Sequence, residues 1–185
     1  MVTSFMLPLR FDPERLLADL ARIEPDEWVP HFNTSVYEGD WSGVALRSVG
    51  GRPQQLYPDP TAQGQFADTA TLDRCPYFRE VLAALECPLQ AARLLKLHAG
   101  SSIHEHRDYR LGFEDGEIRI HIPIVTNPNV RFFLEGRLVE MRPGECWYIN
   151  VNQRHRVENT SEIDRVHLVV DCEVNEWVRG LFPDE

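Results

Sequence analysis

The sequence lacks most of the features that assign a protein at sight. No run approaches the roughly 20 apolar residues that span a bilayer, so a membrane-embedded chain is not expected. Positive charge is scarce: 19 Lys and Arg stand against 29 Asp and Glu, a formal net charge of −10. That balance argues against a nucleic-acid or anionic-lipid surface, although it leaves room for a local basic pocket that takes a small anion. Cysteine is sparse, and Cys75, Cys87, Cys146 and Cys172 contain no CxxC pair. A zinc ribbon or dithiol motif is unsupported, and buried free thiols in a reducing compartment are the expectation. Low-complexity tracts and internal repeats are absent. The opening MVTSFMLPLRFDPERLL has no basic segment followed by an apolar core, so a cytoplasmic location is expected.

What is present is an ordinary globular composition, 43% hydrophobic and 26% charged over 185 residues, enough for one domain spanning 1–185. Asp12-Pro13 opens a helix whose buried stripe is Leu16, Leu17, Leu20 and Ile23. Residues 24 to 72 are rich in turn formers (GDWSG, VGGRP, YPDPTAQG), with a short strand near Gly43 to Ser48. A second helix begins near Pro76 and presents Phe78, Val81, Leu82 and Leu85. From residue 91 the period changes to two, through ARLLKLHA, EIRIHIPIV, VRFFLEG, ECWYINV and DRVHLVVDCEV. NEWVRGLF closes the chain as a short amphipathic helix. The pattern predicts a mainly β fold with flanking helices: helical support over about 11–90 and a jelly-roll core over about 91–172.

The strand EIRIHIPI poses a question. Ile118, Ile120, Ile122 and Ile124 form one apolar face, and the other carries Glu117, Arg119 and His121, which are costly to bury unless something pairs with them. A second cluster sits in HEHRD, with His104, His106 and Asp108, and His155 follows far downstream in NQRHRVEN. A His-x-Asp pair on an extended segment, joined by one distal His, gives the two-imidazole, one-carboxylate set of non-haem Fe(II) oxygenases. By itself His-x-Asp arises easily in a chain with seven histidines, and a solvated loop is the bland reading. Arg165, ten residues after His155, changes the balance. The second carboxylate of a 2-oxoglutarate co-substrate needs a permanently charged, bidentate partner, and Arg suits that task better than Lys.

With those residues in view, the chain resembles the aspartyl/asparaginyl β-hydroxylase family of Fe(II)- and 2-oxoglutarate-dependent dioxygenases. The resemblance runs from HFNTSVYEGDWSGVALRS to RVHLVVD, and its core is LLKLHAGSSIHEHRD, IRIHIPI and RPGECWYINVNQRHRVENTSEIDRVHLVVD. It implies a double-stranded β-helix, the cupin-like jelly roll, with His106 and His155 ligating Fe(II) alongside Asp108. It also implies 2-oxoglutarate held by Arg165 with help from Arg119 and His121, and Trp41 near that co-substrate. Animal members carry Gly where this chain has Asp108, so the full triad is closer to bacterial members and the related free proline cis-hydroxylases. A hydroxyl residue of the animal members corresponds to Leu95 here, so co-substrate contacts differ. The implied activity is hydroxylation of an unactivated C–H bond with O₂, releasing succinate and CO₂. The substrate is an amino-acid-like small molecule or an Asp/Asn side chain of a peptide, with the small molecule favoured.

Two rivals share the scaffold. A cupin-type metal protein would use His104 with His106, and RPGE would be its second half; but His155 follows Gly144 by eleven residues, too far for that motif, and Glu114 comes too late. A non-catalytic jelly-roll binding domain would be expected to lack a triad member or the Arg. Trp28, His31, Phe32 and Tyr37 either line a substrate mouth or cap the core, and Arg107, Tyr109 and Arg110 are loop residues or substrate contacts. His167 is either a co-substrate neighbour or a hydrogen-bonded core histidine.

Overall fold

The structure, a computed structural model, describes residues 2–57 and 65–182, so most of the YPDPTAQG turn signal lies outside the described residues. In chain order the first half contains β1 (Ser4–Arg10), α1 (Pro13–Leu20), β2 (Val29–Pro30), β3 (Tyr37–Glu38) and β4 (Trp41–Val49). Then come β5 (Phe66–Asp68), α2 (Ala70–Asp73) and α3 (Pro76–Ala83). The second half runs β6 (Leu89–Leu97), β7 (Ser102–His106), β8 (Glu117–Val125), β9 (Val130–Leu134) and β10 (Arg137–Val139). It ends with β11 (Glu145–Ile149), β12 (His155–Asn159), β13 (Arg165–Glu173) and α4 (Glu176–Leu181).

The strands form two antiparallel sheets. The major one has the order β1-β11-β8-β13-β6-β4-β2 with β5 on β4, and the minor one β10-β9-β12-β7-β3. This is the expected jelly roll with helices on one side. Alternation divides each central strand between two cores. Ile118, Ile120, Ile122 and Ile124 join Leu94, Leu168 and Val170 in a cluster with Leu16, Phe78, Val81 and Leu82 of the helices. The opposite face, with Leu95, Leu97 and Val169, meets Ile103, Phe132, Leu134 and Val157 of the minor sheet.

Local chemistry explains the helical layer. The Asp12 side chain caps α1 by accepting from Glu14 N at 2.9 Å, and Pro13 occupies the first turn. Buried Asp19 reaches across to α3, where Oδ2 accepts from Tyr77 N at 2.6 Å and Phe78 N at 2.9 Å. The first turn of α3 is thereby satisfied by a carboxylate from another helix. Leu16 and Ile23 are buried, but Leu17 is 45% exposed: it stands one residue off the stripe that Leu16, Asp19 and Ile23 define. Asn175 caps α4 through Val178 N at 3.0 Å.

The 11–90 segment is not helical support alone, because it also supplies β2 to β5 and the start of β6. β2, β3 and β5 are only two or three residues long, too short to show a period. β1 was not expected either: Pro8 interrupts its pattern, which an end strand of the sheet tolerates. Among the described residues no helix is long and apolar enough to cross a membrane. All four cysteines are free, three of them buried, as expected.

Candidate metal and co-substrate site

The site forms between the two sheets, where a cavity of about 310 Å³ is lined from both. His106 and His155 are cross-strand partners on β7 and β12. The chain takes two steps on β12 from His155 to Val157 where β7 takes three from His106 to Ile103, so β7 carries one extra residue, a β-bulge. The bulge lets Ile103 and His106 both point inward while His104 and Glu105 face solvent. His104 is thus exposed and absent from the cluster, which removes the His104–His106 pairing of the cupin reading. The RPGE turn has its own reason: Gly144 has φ +80°, and a Cβ there would lie 2.2 Å from the Phe11 carbonyl oxygen.

Asp108 lies just past β7, its backbone N–H donating to Val151 O at 2.9 Å. One ligand atom from each of His106, Asp108 and His155 falls within 4.8 Å of the others. Each imidazole is oriented by its own Nδ1, which lies 2.8 Å from His104 O in His106 and 3.0 Å from Gln153 O in His155. With Nδ1–H donating to a carbonyl, Nε2 is left as the nitrogen with a free lone pair, the usual way a protein fixes the tautomer of a ligating histidine. Burial above all, then the neighbouring His106, pushes His155 down to about 4, so its ring is neutral at ordinary pH. Burial alone would raise the Asp108 carboxyl, but Arg119 and the two histidines outweigh it and hold it below its ordinary value. Donor set, tautomers and charge all fit a divalent metal.

Arg165 is 2% exposed at the cavity wall on β13. Its Nη2 donates to His167 Nδ1 at 2.8 Å, and its Nε has no partner. No ion pair to a carboxylate is recorded for it among the described residues, and burial pulls its pKa down to about 9, still charged at neutral pH. Such a guanidinium is completed by an anion. His121 lines the same wall, with Nδ1 3.4 Å from His167 Nδ1 and its buried Nε2 unpartnered. Burial, then Arg165, keeps its pKa well below the ordinary histidine range. His167 is therefore a hydrogen-bonded core residue that steadies Arg165.

The remaining assignments divide. Arg119 faces the cavity side as expected, yet three of its N–H groups are committed within the protein. Nε and Nη2 donate to Asp171 at 2.7 and 3.0 Å, and Nη1 donates to Asp108 Oδ2. Arg119 thus holds the Asp108 carboxylate through Nη1 while lining the cavity. Trp41 lines the cavity and stacks on His31, with centroids 3.5 Å apart and planes 10° from parallel; Phe32 stacks on the other side of His31 at 4.3 Å. Trp28 instead packs under Lys96 Nζ, 3.7 Å from its ring centroid, on the helical side. Arg107 and Tyr109 reach the cavity mouth, whereas Arg110 does not line it and adopts φ +62°. Two contributors were missed. Arg93 and Asp171 are buried on β6 and β13, and their signal was a charged residue amid the apolar runs ARLLKL and LVVDC.

A jelly roll holding two histidines and one carboxylate around a point, with an unpaired arginine in the same cavity, defines the class of non-haem Fe(II) oxygenase scaffolds. The chain belongs to the aspartyl/asparaginyl β-hydroxylase family, whose model matches residues 12–174. It is 25% identical over 176 residues to the L-proline cis-4-hydroxylase of Rhizobium meliloti (strain 1021), covering 94% of this chain and 61% of that one. It is 29% identical over 168 residues to L-proline cis-3-hydroxylase 2 of a Streptomyces species, covering 88% and 57%. The chain thus spans about three fifths of the length of these curated relatives. Among solved structures it is similar in fold to the α-ketoglutarate-dependent epimerase SnoN from nogalamycin biosynthesis (TM-score 0.57, 14% identity, 92% of this chain and 78% of that one). A 2OG-Fe(II) oxygenase family oxidoreductase from Burkholderia pseudomallei is comparably similar (TM-score 0.55, 20% identity, 94% and 88%). The family implies Fe(II) and 2-oxoglutarate, and the triad is consistent with both.

Proposed function

We propose that this protein is an Fe(II)- and 2-oxoglutarate-dependent dioxygenase that hydroxylates an unactivated C–H bond of a small amino-acid-like molecule, with release of succinate and CO₂. The observation that carries the reading is the convergence of three ligand atoms within 4.8 Å in the cavity that also holds Arg165. His106 and His155 offer Nε2, and Asp108 offers the oxygen that Arg119 does not hold. When bound, the metal with its co-substrate and O₂ supplies the oxidising power, and the protein supplies aim and a dry wall. Arg165 pairs with the distal carboxylate of 2-oxoglutarate, and neutral His121 adds a hydrogen bond through Nε2. The stack of Trp41, His31 and Phe32 gives a flat, largely apolar wall. A cavity of about 310 Å³ is at the small end for ligand sites, which favours a free small molecule over a folded domain. The names of the relatives make L-proline and its ring analogues the first substrates to try.

The test has two stages. Anaerobic protein with Fe(II) should develop a visible charge-transfer absorption on addition of 2-oxoglutarate; its absence would favour the non-catalytic binding domain. Succinate release should then be stimulated by a free amino acid. Stimulation by Asp- or Asn-containing peptides alone would instead assign a protein side chain as substrate.

A further inference from the structure

The brace on Asp108 continues behind Arg119. Asp171, 0% exposed on β13, has both oxygens occupied. Oδ1 accepts from Arg119 Nε at 2.7 Å, and Oδ2 accepts from Arg119 Nη2 at 3.0 Å and Arg93 Nη2 at 2.9 Å. Arg93 is anchored in turn on the Leu56 carbonyl at 3.2 Å. A carboxylate and two guanidiniums buried together rarely add stability over apolar side chains of the same volume. The cluster therefore calls for another account. Two recorded donor arms leave it: Arg93 Nη1 ends on the Leu56 backbone, and Arg119 Nη1 ends on a cavity side chain, at Asp108 Oδ2.

We propose that Asp171 is a positioning residue for the metal centre. By gripping Nε and Nη2 of Arg119 it fixes the guanidinium plane, aims Nη1 at Asp108 Oδ2, and reserves Oδ1 as the single ligand oxygen. Oδ1 is the atom that lies 3.7 Å from His106 Nε2. The Asp108 side chain is 31% exposed and is free to rotate once that arm is lost. An unbraced carboxylate either turns away from the histidines or presents both oxygens, which changes the number of positions left open. The inference rests on the metal-centre reading above and extends it to a residue that touches no ligand.

The experiment uses Co(II) alone as a visible probe on the purified protein, measuring affinity, the d–d spectrum and the melting temperature. Wild-type protein that binds no Co(II) would overturn the metal-centre reading and this inference with it. If the wild type binds, Asp171→Asn and Arg119→Lys are expected to bind about 10–100-fold more weakly, with an altered spectrum. Leu16→Ala, in the helical-side core, controls for general loosening: it should lower the melting temperature and leave the spectrum unchanged. Wild-type affinity and spectrum in either folded variant would overturn the assignment. A spectral change in Leu16→Ala as large as in the Asp171 variant would overturn it as well. Should Asp171→Asn fail to fold, Arg119→Lys decides by the same two readouts.

Discussion

The two faces of the major sheet are made by the same strands, equally buried, and filled with opposite chemistry. On the helical side Leu94, Ile120 and Leu168 are each 0% exposed; on the cavity side Arg93, Arg119 and Arg165 are 2%, 7% and 2% exposed. Depth is therefore not what separates them. The helical face gains about 25 cal/mol for each Å² of apolar surface removed from water. The cavity face loses hydration of its charges and recovers only part of it through Asp171 and Asp108. Period two places the residues that hold the fold together and those that serve the site one peptide apart, so each can change with little effect on the other.

Four substitutions test that division, in falling order of effect. His155→Ala should abolish metal-dependent succinate formation while the melting temperature stays within a few degrees of wild type; retained turnover would remove the triad. Arg165→Met should raise the 2-oxoglutarate requirement by roughly 30-fold or more, since a lost partner to a buried charge is worth about 2–5 kcal/mol. It should spare metal binding and leave the ligand-free fold as stable as wild type or slightly more so, because a buried charge without a carboxylate partner is removed. A large fall in its urea midpoint would show that the cavity face also carries stability. Ile120→Ala, one residue from Arg119, should do the reverse: about 2–5 kcal/mol less stable by urea denaturation, with the 2-oxoglutarate requirement nearly unchanged below its unfolding transition.

The fourth and smallest effect is on pH dependence. Burial foremost, then Arg93, pushes His31 down to about 3, against an ordinary value of 6.5. The folded state therefore keeps this ring neutral while the unfolded chain takes up a proton. The associated stability is complete above pH 6.5 and is lost as pH falls from there towards 3. His31→Phe keeps a ring in the stack and cannot protonate. Its unfolding free energy from urea titration should fall less than that of wild type between pH 7 and pH 5, by up to about 2 kcal/mol. Equal falls would show that His31 takes up its proton in the folded state.

Much of this was legible in the sequence, for identifiable reasons. The isoleucine alternation at 118–124 set the orientation of β8 because a strand has only two faces. Residue type and spacing, with the family resemblance, grouped His106, Asp108, His155 and Arg165, and all four line one cavity. What stayed hidden was partnership across the sheet. The hold of Asp171 on Arg119 was not foreseen, because nothing in a linear sequence says that Asp171 stands opposite it on β13. Arg93 escaped for the same reason. β2 and β3 escaped because two residues cannot show a period, and Leu17 shows that a stripe read by eye can be one residue too wide.

The extra residue in β7 has a consequence for how such a site is inherited or engineered. Between Ile103 and His106 the chain makes room for two outward residues where a regular strand allows one. The place of His106 is therefore set by how the strand pairs as well as by its letters. On a regular strand with the same letters, Glu105 would take the inward place and His106 would turn to solvent. Removing Glu105 would straighten the strand and keep His106 facing inward, opposite His155. A comparison that scores only which residues are present does not distinguish the bulged strand from a regular one, although only the bulged strand keeps His106 of this sequence in the cavity.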